Sequence, residues 1–180
     1  MPGQPIRPVR APGFTLVEML VVVVIIGVMV VGAVLALGVV GRDRSLETEM
    51  RRIDALLGFA REQAELETRD YGLRVEPHGY AFLTFDPRRG TWVEPADASL
   101  RERSLPAGLV IELVLEGRRV VLEAPKKGTE PKPHIGVMSS GDYSSFELTL
   151  RREGTKTAQT LRTRADGELE LGALQEEPAG

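Results

Sequence analysis

Cysteine is absent from this chain. That excludes disulfides, thiolate chemistry and any Cys-ligated metal. Histidine occurs only twice, as His78 between Pro77 and Gly79 and as His134 in a proline-rich stretch. Neither has acidic residues clustered around it, so composition offers no zinc site. Asp142 with its neighbouring serines offers calcium a single carboxylate, too few to define a site, and the sequence leaves calcium binding open. The sequence also lacks a phosphate-cradling loop, because Lys126-Lys127-Gly128 has neither the preceding glycine nor a hydroxyl partner. It lacks a nucleophile elbow as well: Gly136 to Gly141 has the wrong spacing, and Ser139-Ser140-Gly141 reads as a polar hairpin turn. The expectation is therefore catalytic residues none, metal none, cofactors none, and no enzyme. The net charge is −3. Basic residues come in scattered pairs, Arg88-Arg89, Arg118-Arg119, Lys126-Lys127 and Arg151-Arg152. A mildly acidic chain without a basic cluster is not a general phosphate-backbone binder, so no nucleic acid partner is expected.

Two further absences carry positive information. No charge occurs from Met19 to Gly41, and no proline from Phe14 to Glu76. The charge-free run would make a helix of roughly 35 Å, against a hydrocarbon core of about 30 Å. Residues 14–41 are therefore expected to form a transmembrane helix. Beyond it, Leu46, Met50, Ile53, Leu57, Ala60 and Ala64 recur at helical spacing, with charges filling the opposite face. Residues 42–68 are the expected amphipathic half of the same helix, lying on a folded domain. A free coiled coil is the other reading, disfavoured because β-patterned sequence follows so soon.

Ahead of the apolar run, residues 1–13 hold prolines, Arg7 and Arg10 but no acid. They read as a leader. Arginines beside a span predict a cytoplasmic N-terminus and an exported remainder. An uncleaved signal-anchor is the plain alternative. Glu18 is the one carboxylate at the start of the run. A charge there is costly unless it snorkels to the membrane edge or finds a partner.

After Asp70 the pattern shifts to short β runs separated by turns. These are 73–76, 80–85, 91–93, 109–115, 119–123, 135–138, 146–150, 157–163 and 168–171. Residues 95–103 read as polar and irregular, and 124–134 as a loop too polar to pack. Trp92 reads as a strand residue covering the core edge. A flexible tail is expected over 175–180. The fold class expected is α+β: a long N-terminal helix, its first half membrane-spanning, packed on an all-antiparallel two-sheet β domain over 69–174.

The order Gly13-Phe14-Thr15-Leu16-Val17-Glu18, after a basic leader and before a charge-free span, resembles the prepilin-peptidase motif of the type IV pilin superfamily. LLGFAREQAELETRDYGLRVEPHGYAFLTFD, VMSSGDYSSFELTLRREG and Asp166-Gly167-Glu168-Leu169 are similar to stretches of the minor pseudopilin H family of type II secretion systems. The stretches 87–105 and 124–134 match weakly. The resemblance implies cleavage between Gly13 and Phe14, N-methylation of Phe14, and an assembly role for Glu18. It implies a pilin-like, non-catalytic subunit at or near the tip of the secretion pseudopilus, assisting export of folded proteins across the outer membrane. Its implied partners are prepilin peptidase, other minor and major pseudopilins, the inner-membrane assembly platform and exoprotein substrates. The implied location is the bacterial inner membrane, single-pass, with the C-terminal domain in the periplasm. The alternative is a minor pilin of a type IV pilus or DNA-uptake filament, which shares the N-terminal motif.

Overall fold

The computed structural model describes residues 16–124 and 128–175. The chain divides into two compact units after Gly41. One α-helix, α1 (Leu16–Glu67), supplies the described part of the first unit and enters the second.

In the first unit, the apolar side chains of α1 described from Leu16 to Val31 are all substantially exposed. Among the described residues, no helix is long and apolar enough to cross a membrane. This corrects the expectation of a membrane-spanning first half, and with it the transmembrane helix over 14–41 and the single-pass inner-membrane placement.

In the second unit, α1 packs on two antiparallel sheets. Leu46, Met50, Ile53, Leu57, Ala60 and Ala64 are all fully buried. The helix ends where Thr68 takes a positive φ of 51° and the Arg69 N–H bonds the Ala64 carbonyl at 3.1 Å. This is a left-handed C-terminal cap built without the usual glycine.

The first sheet has the order β3–β2–β1–β7, where β1 is Tyr71–Glu76, β2 Gly79–Asp86, β3 Thr91–Val93 and β7 Ile135–Val137. A short β4 (Arg103–Ser104) pairs with the start of β2, and β3 with its end. The second sheet has the order β10–β9–β8–β5–β6, with β5 Leu109–Leu115, β6 Arg118–Val120, β8 Phe146–Arg152, β9 Ala158–Thr163 and β10 Leu169–Leu171. Strand β8 alternates as the period-2 rule demands: Phe146, Leu148, Leu150 and Arg152 are buried, while Glu147 and Arg151 are exposed. Leu73, Phe82, Leu113, Leu148 and Leu161 meet the helix stripe in one core. The sheets are tied where the Ile111 N–H reaches the Pro77 carbonyl at 3.0 Å.

Strand β2 departs from alternation. Residues Gly79 to Thr84 are all buried, so both of its faces are covered. The inner face carries Tyr80 and Phe82 into the core. The outer face, with Ala81 and Leu83, is covered by the segment between β3 and β4. That segment reads as polar and irregular in sequence, but it contains a 3-10 turn, Ala98–Leu100, whose Leu100 is fully buried. Leu100 is the lone large apolar side chain that the segment offers, and one anchor suffices to pin it. The end of the expected polar loop packs as well. Pro133 lies so close over Gly72 that a Cβ there would sit 2.4 Å from the Pro133 Cβ. Trp92 is half-buried, edge-on to Phe85 with centroids 5.5 Å apart. Gln175 pairs with Ala158 through both backbone bonds, so order extends into the expected tail.

Candidate functional site

Glu18 lies in the first turn of α1. A helix dipole favours a negative charge in the first turn. Gly13 and Phe14, the expected cleavage and methylation positions, lie outside the described residues. Around and beyond Glu18 the helix presents apolar side chains in every direction, among them Leu16 at 82% exposure, Ile25 at 52% and Val31 at 60%. An apolar surface of this extent marks an association site rather than a solvated face.

The second unit grips its part of α1 by polar contacts that complement the apolar stripe. Glu49 is buried at the helix–sheet seam, where it accepts a hydrogen bond from the Tyr80 hydroxyl at 2.8 Å and pairs with Arg52. Burial and the neighbouring carboxylate push the Tyr80 phenol well up, so it stays a donor. At the end of β8, buried Arg152 donates to the Ser45 hydroxyl at 2.9 Å. Near the other end of the helix, the Tyr143 hydroxyl donates to the Leu57 carbonyl at 3.2 Å, and Arg61 lies over the Tyr143 ring at 5.6 Å. Arg61 also reaches Glu168 at 3.1 Å, and that hydrogen bond raises its pKa further. Just past the helix end, the Ser139 N–H donates to the Asp70 carboxylate at 2.9 Å. Gly141, beside Glu65, has φ of 88°, a conformation strained for any residue with a Cβ. Beside the helix end, burial first and Glu67 second push the Tyr71 phenol up to about 12.

Nothing in these contacts resembles catalytic machinery. Asp142 accepts from the Ser140 hydroxyl at 2.7 Å. Several of the described basic residues are paired locally. Arg119 and Arg151 converge on Glu112 at 2.6 and 2.7 Å, Arg89 lies 3.6 Å from Asp86, and Arg152 is buried.

Two buried polar groups escaped the sequence reading although the pattern held the signal. Glu49 stands three residues after Leu46 and four before Ile53, directly on the buried stripe. A carboxylate there implies an internal donor. Arg152 continues the inward positions of Phe146, Leu148 and Leu150. The pairing of Arg61 with Glu168, by contrast, spans the chain and leaves no local trace.

Comparison with known proteins places this arrangement. Residues 10–34 match the prokaryotic N-terminal methylation motif. The chain is 36% identical to type II secretion system protein H of Pseudomonas aeruginosa, over 86% of this chain and 91% of the relative. It is 30% identical to the protein H of Aeromonas hydrophila, over 93% and 96%. The fold is similar to the crystal structure of the minor pseudopilin EpsH of Vibrio cholerae, with a TM-score of 0.63, 23% identity and coverage of 75% of this chain and 98% of that one. It is also similar to the solution structure of Escherichia coli GspH, with a TM-score of 0.57, 16% identity and coverage of 77% and 94%. The chain belongs to the type II secretion system protein H family of minor pseudopilins, and its role in the pseudopilus is structural, not enzymatic.

Proposed function

We propose that the chain joins its pseudopilus as a processed subunit. The leader, residues 1–13, is removed between Gly13 and Phe14 by prepilin peptidase, the new amine of Phe14 is methylated, and Glu18 supplies that amine's counter-charge. The observation that carries this reading is the methylation motif over residues 10–34, coinciding with an acidic residue in the first turn of a helix whose apolar side chains are exposed on all sides. Association with other apolar helices desolvates the amine. A buried cation without a partner is expensive, and a carboxylate from the same or an adjacent subunit removes that cost. In this reading residues 14–41 are the filament core, 42–68 carry the stripe that holds the β domain over 69–174, and 175–180 form the tail. The subunit acts at or near the tip with other minor and major pseudopilins and the assembly platform, and it assists export of folded exoproteins across the outer membrane.

The test is Glu18→Gln in cells lacking the wild-type copy. Breaking one side of a buried charge pair costs about 3–5 kcal/mol. The variant is expected to be processed normally but to be depleted from sheared pseudopili, with secretion reduced. Incorporation equal to wild type would refute the counter-charge role.

A further inference from the structure

The segment Glu130–His134 forms a strap along the edge of β1, and its last residue holds it there by an unusual contact. The His134 N–H donates to the Leu73 carbonyl at 2.9 Å. Two residues along β1, the Val75 N–H donates to the imidazole Nδ1 of His134 at 3.0 Å. The side chain thus supplies an acceptor just past the Leu73–Ile135 end of the β1–β7 ladder. Only an unprotonated Nδ1 can accept. The strap's other end is fastened by the Thr91 hydroxyl to Glu130, next to Trp92. Between these fastenings, Pro133 closes over Gly72, and Pro131 lines a cavity of about 290 Å³ on the outer face of the first sheet. Ala81, Leu83 and Leu100 also line that cavity.

We infer that His134 is a proton-sensitive catch: adding a proton to Nδ1 breaks its bond to Val75, lifts the strap off β1 and opens the apolar outer face of the first sheet. The charged groups around the catch favour release on balance. Arg74 on β1 would face a second cation, while Glu76 on the same strand partly offsets it but is already paired with Arg74 at 3.0 Å. Glu102, from the segment preceding β4, lies 4.0 Å from Arg74. The strap itself contributes Glu130, fastened to Thr91, and Lys132. Burial and the Arg74 charge hold the His134 imidazole below its ordinary value of 6.5. A depressed folded-state pKa means that the unfolded chain takes up its proton first. The stabilisation from this contact is complete above about pH 6.5 and is lost as the pH falls through the folded value.

The full-length chain in detergent offers direct readouts, because Trp92 is the single tryptophan and there are only two histidines. Titration from pH 8 to pH 5 is expected to shift Trp92 fluorescence with a midpoint below 6.5. It should also lower Val75 amide protection by about tenfold or more, with the far-ultraviolet circular dichroism unchanged. Nitrogen-15 histidine spectra at neutral pH should show His134 as the Nε2–H tautomer. His134→Asn keeps a side-chain oxygen near the Nδ1 position that does not titrate, and should abolish the transition; His78→Asn should retain it. An Nδ1–H tautomer, a His134 midpoint at or above 6.5, or a transition that survives His134→Asn would overturn the inference. The wild-type spectra decide even if the variant fails to fold.

Discussion

At the scale of single residues, the domain is held to its helix by buried polar groups whose partners are all internal. Glu49 is only 3% exposed and takes the Tyr80 hydroxyl as a donor. Tyr80→Phe removes that donor while keeping the ring in the core. The expected loss is about 1–3 kcal/mol, read as a lower denaturant midpoint at unchanged slope. No loss would show that Arg52 alone satisfies the carboxylate. The signal for Glu49 was present in the sequence as a charge on an apolar stripe. That for His134 was not: a histidine among prolines reads as loop, and only the three-dimensional closeness of the strap to β1 gives its Nδ1 a backbone donor.

At the scale of elements, the helix stripe and most strands are legible because each carries its own periodicity. All six stripe residues are buried, and β3 and β5 fall on the expected residues. The segment from 95 to 103 was illegible, since one leucine among eight small, polar or proline residues has no period to detect. Its burial beneath a 3-10 turn is tertiary in origin. Leu57 and Leu100 therefore make a useful pair of truncations. Leu57→Ala removes a side chain from the helix–sheet core and should cost about 2–5 kcal/mol. Leu100→Ala should fall in the same range, by opening the outer cover of β2. A cost for Leu100→Ala no larger than that of an ordinary surface change would show that the cover is dispensable.

At the scale of the whole molecule, a short N-terminal motif and a long similarity do different work. The motif points to N-terminal methylation at residues 10–34. The similarity to protein H over most of the chain identifies which pilin-like subunit this is. Hydrophobic run length alone suggested a membrane span, and the described helix corrects that. What the apolar run presents instead is an exposed, all-round surface beginning next to Glu18. The candidate site was thus readable at its chemical end, where a carboxylate stands at the head of an apolar run. The grip of the β domain on the helix was not, because it depends on contacts such as Arg61 with Glu168 that cross more than half the chain.

The central claim is that this surface becomes functional only after the leader is removed and a new amine is created beside Glu18. Mass spectrometry of the N-terminal peptide, from chain recovered with assembled pseudopili, tests it most directly. The account predicts a peptide beginning at N-methylated Phe14, lost in cells without prepilin peptidase. A peptide beginning at Met1 in assembled pseudopili would contradict it.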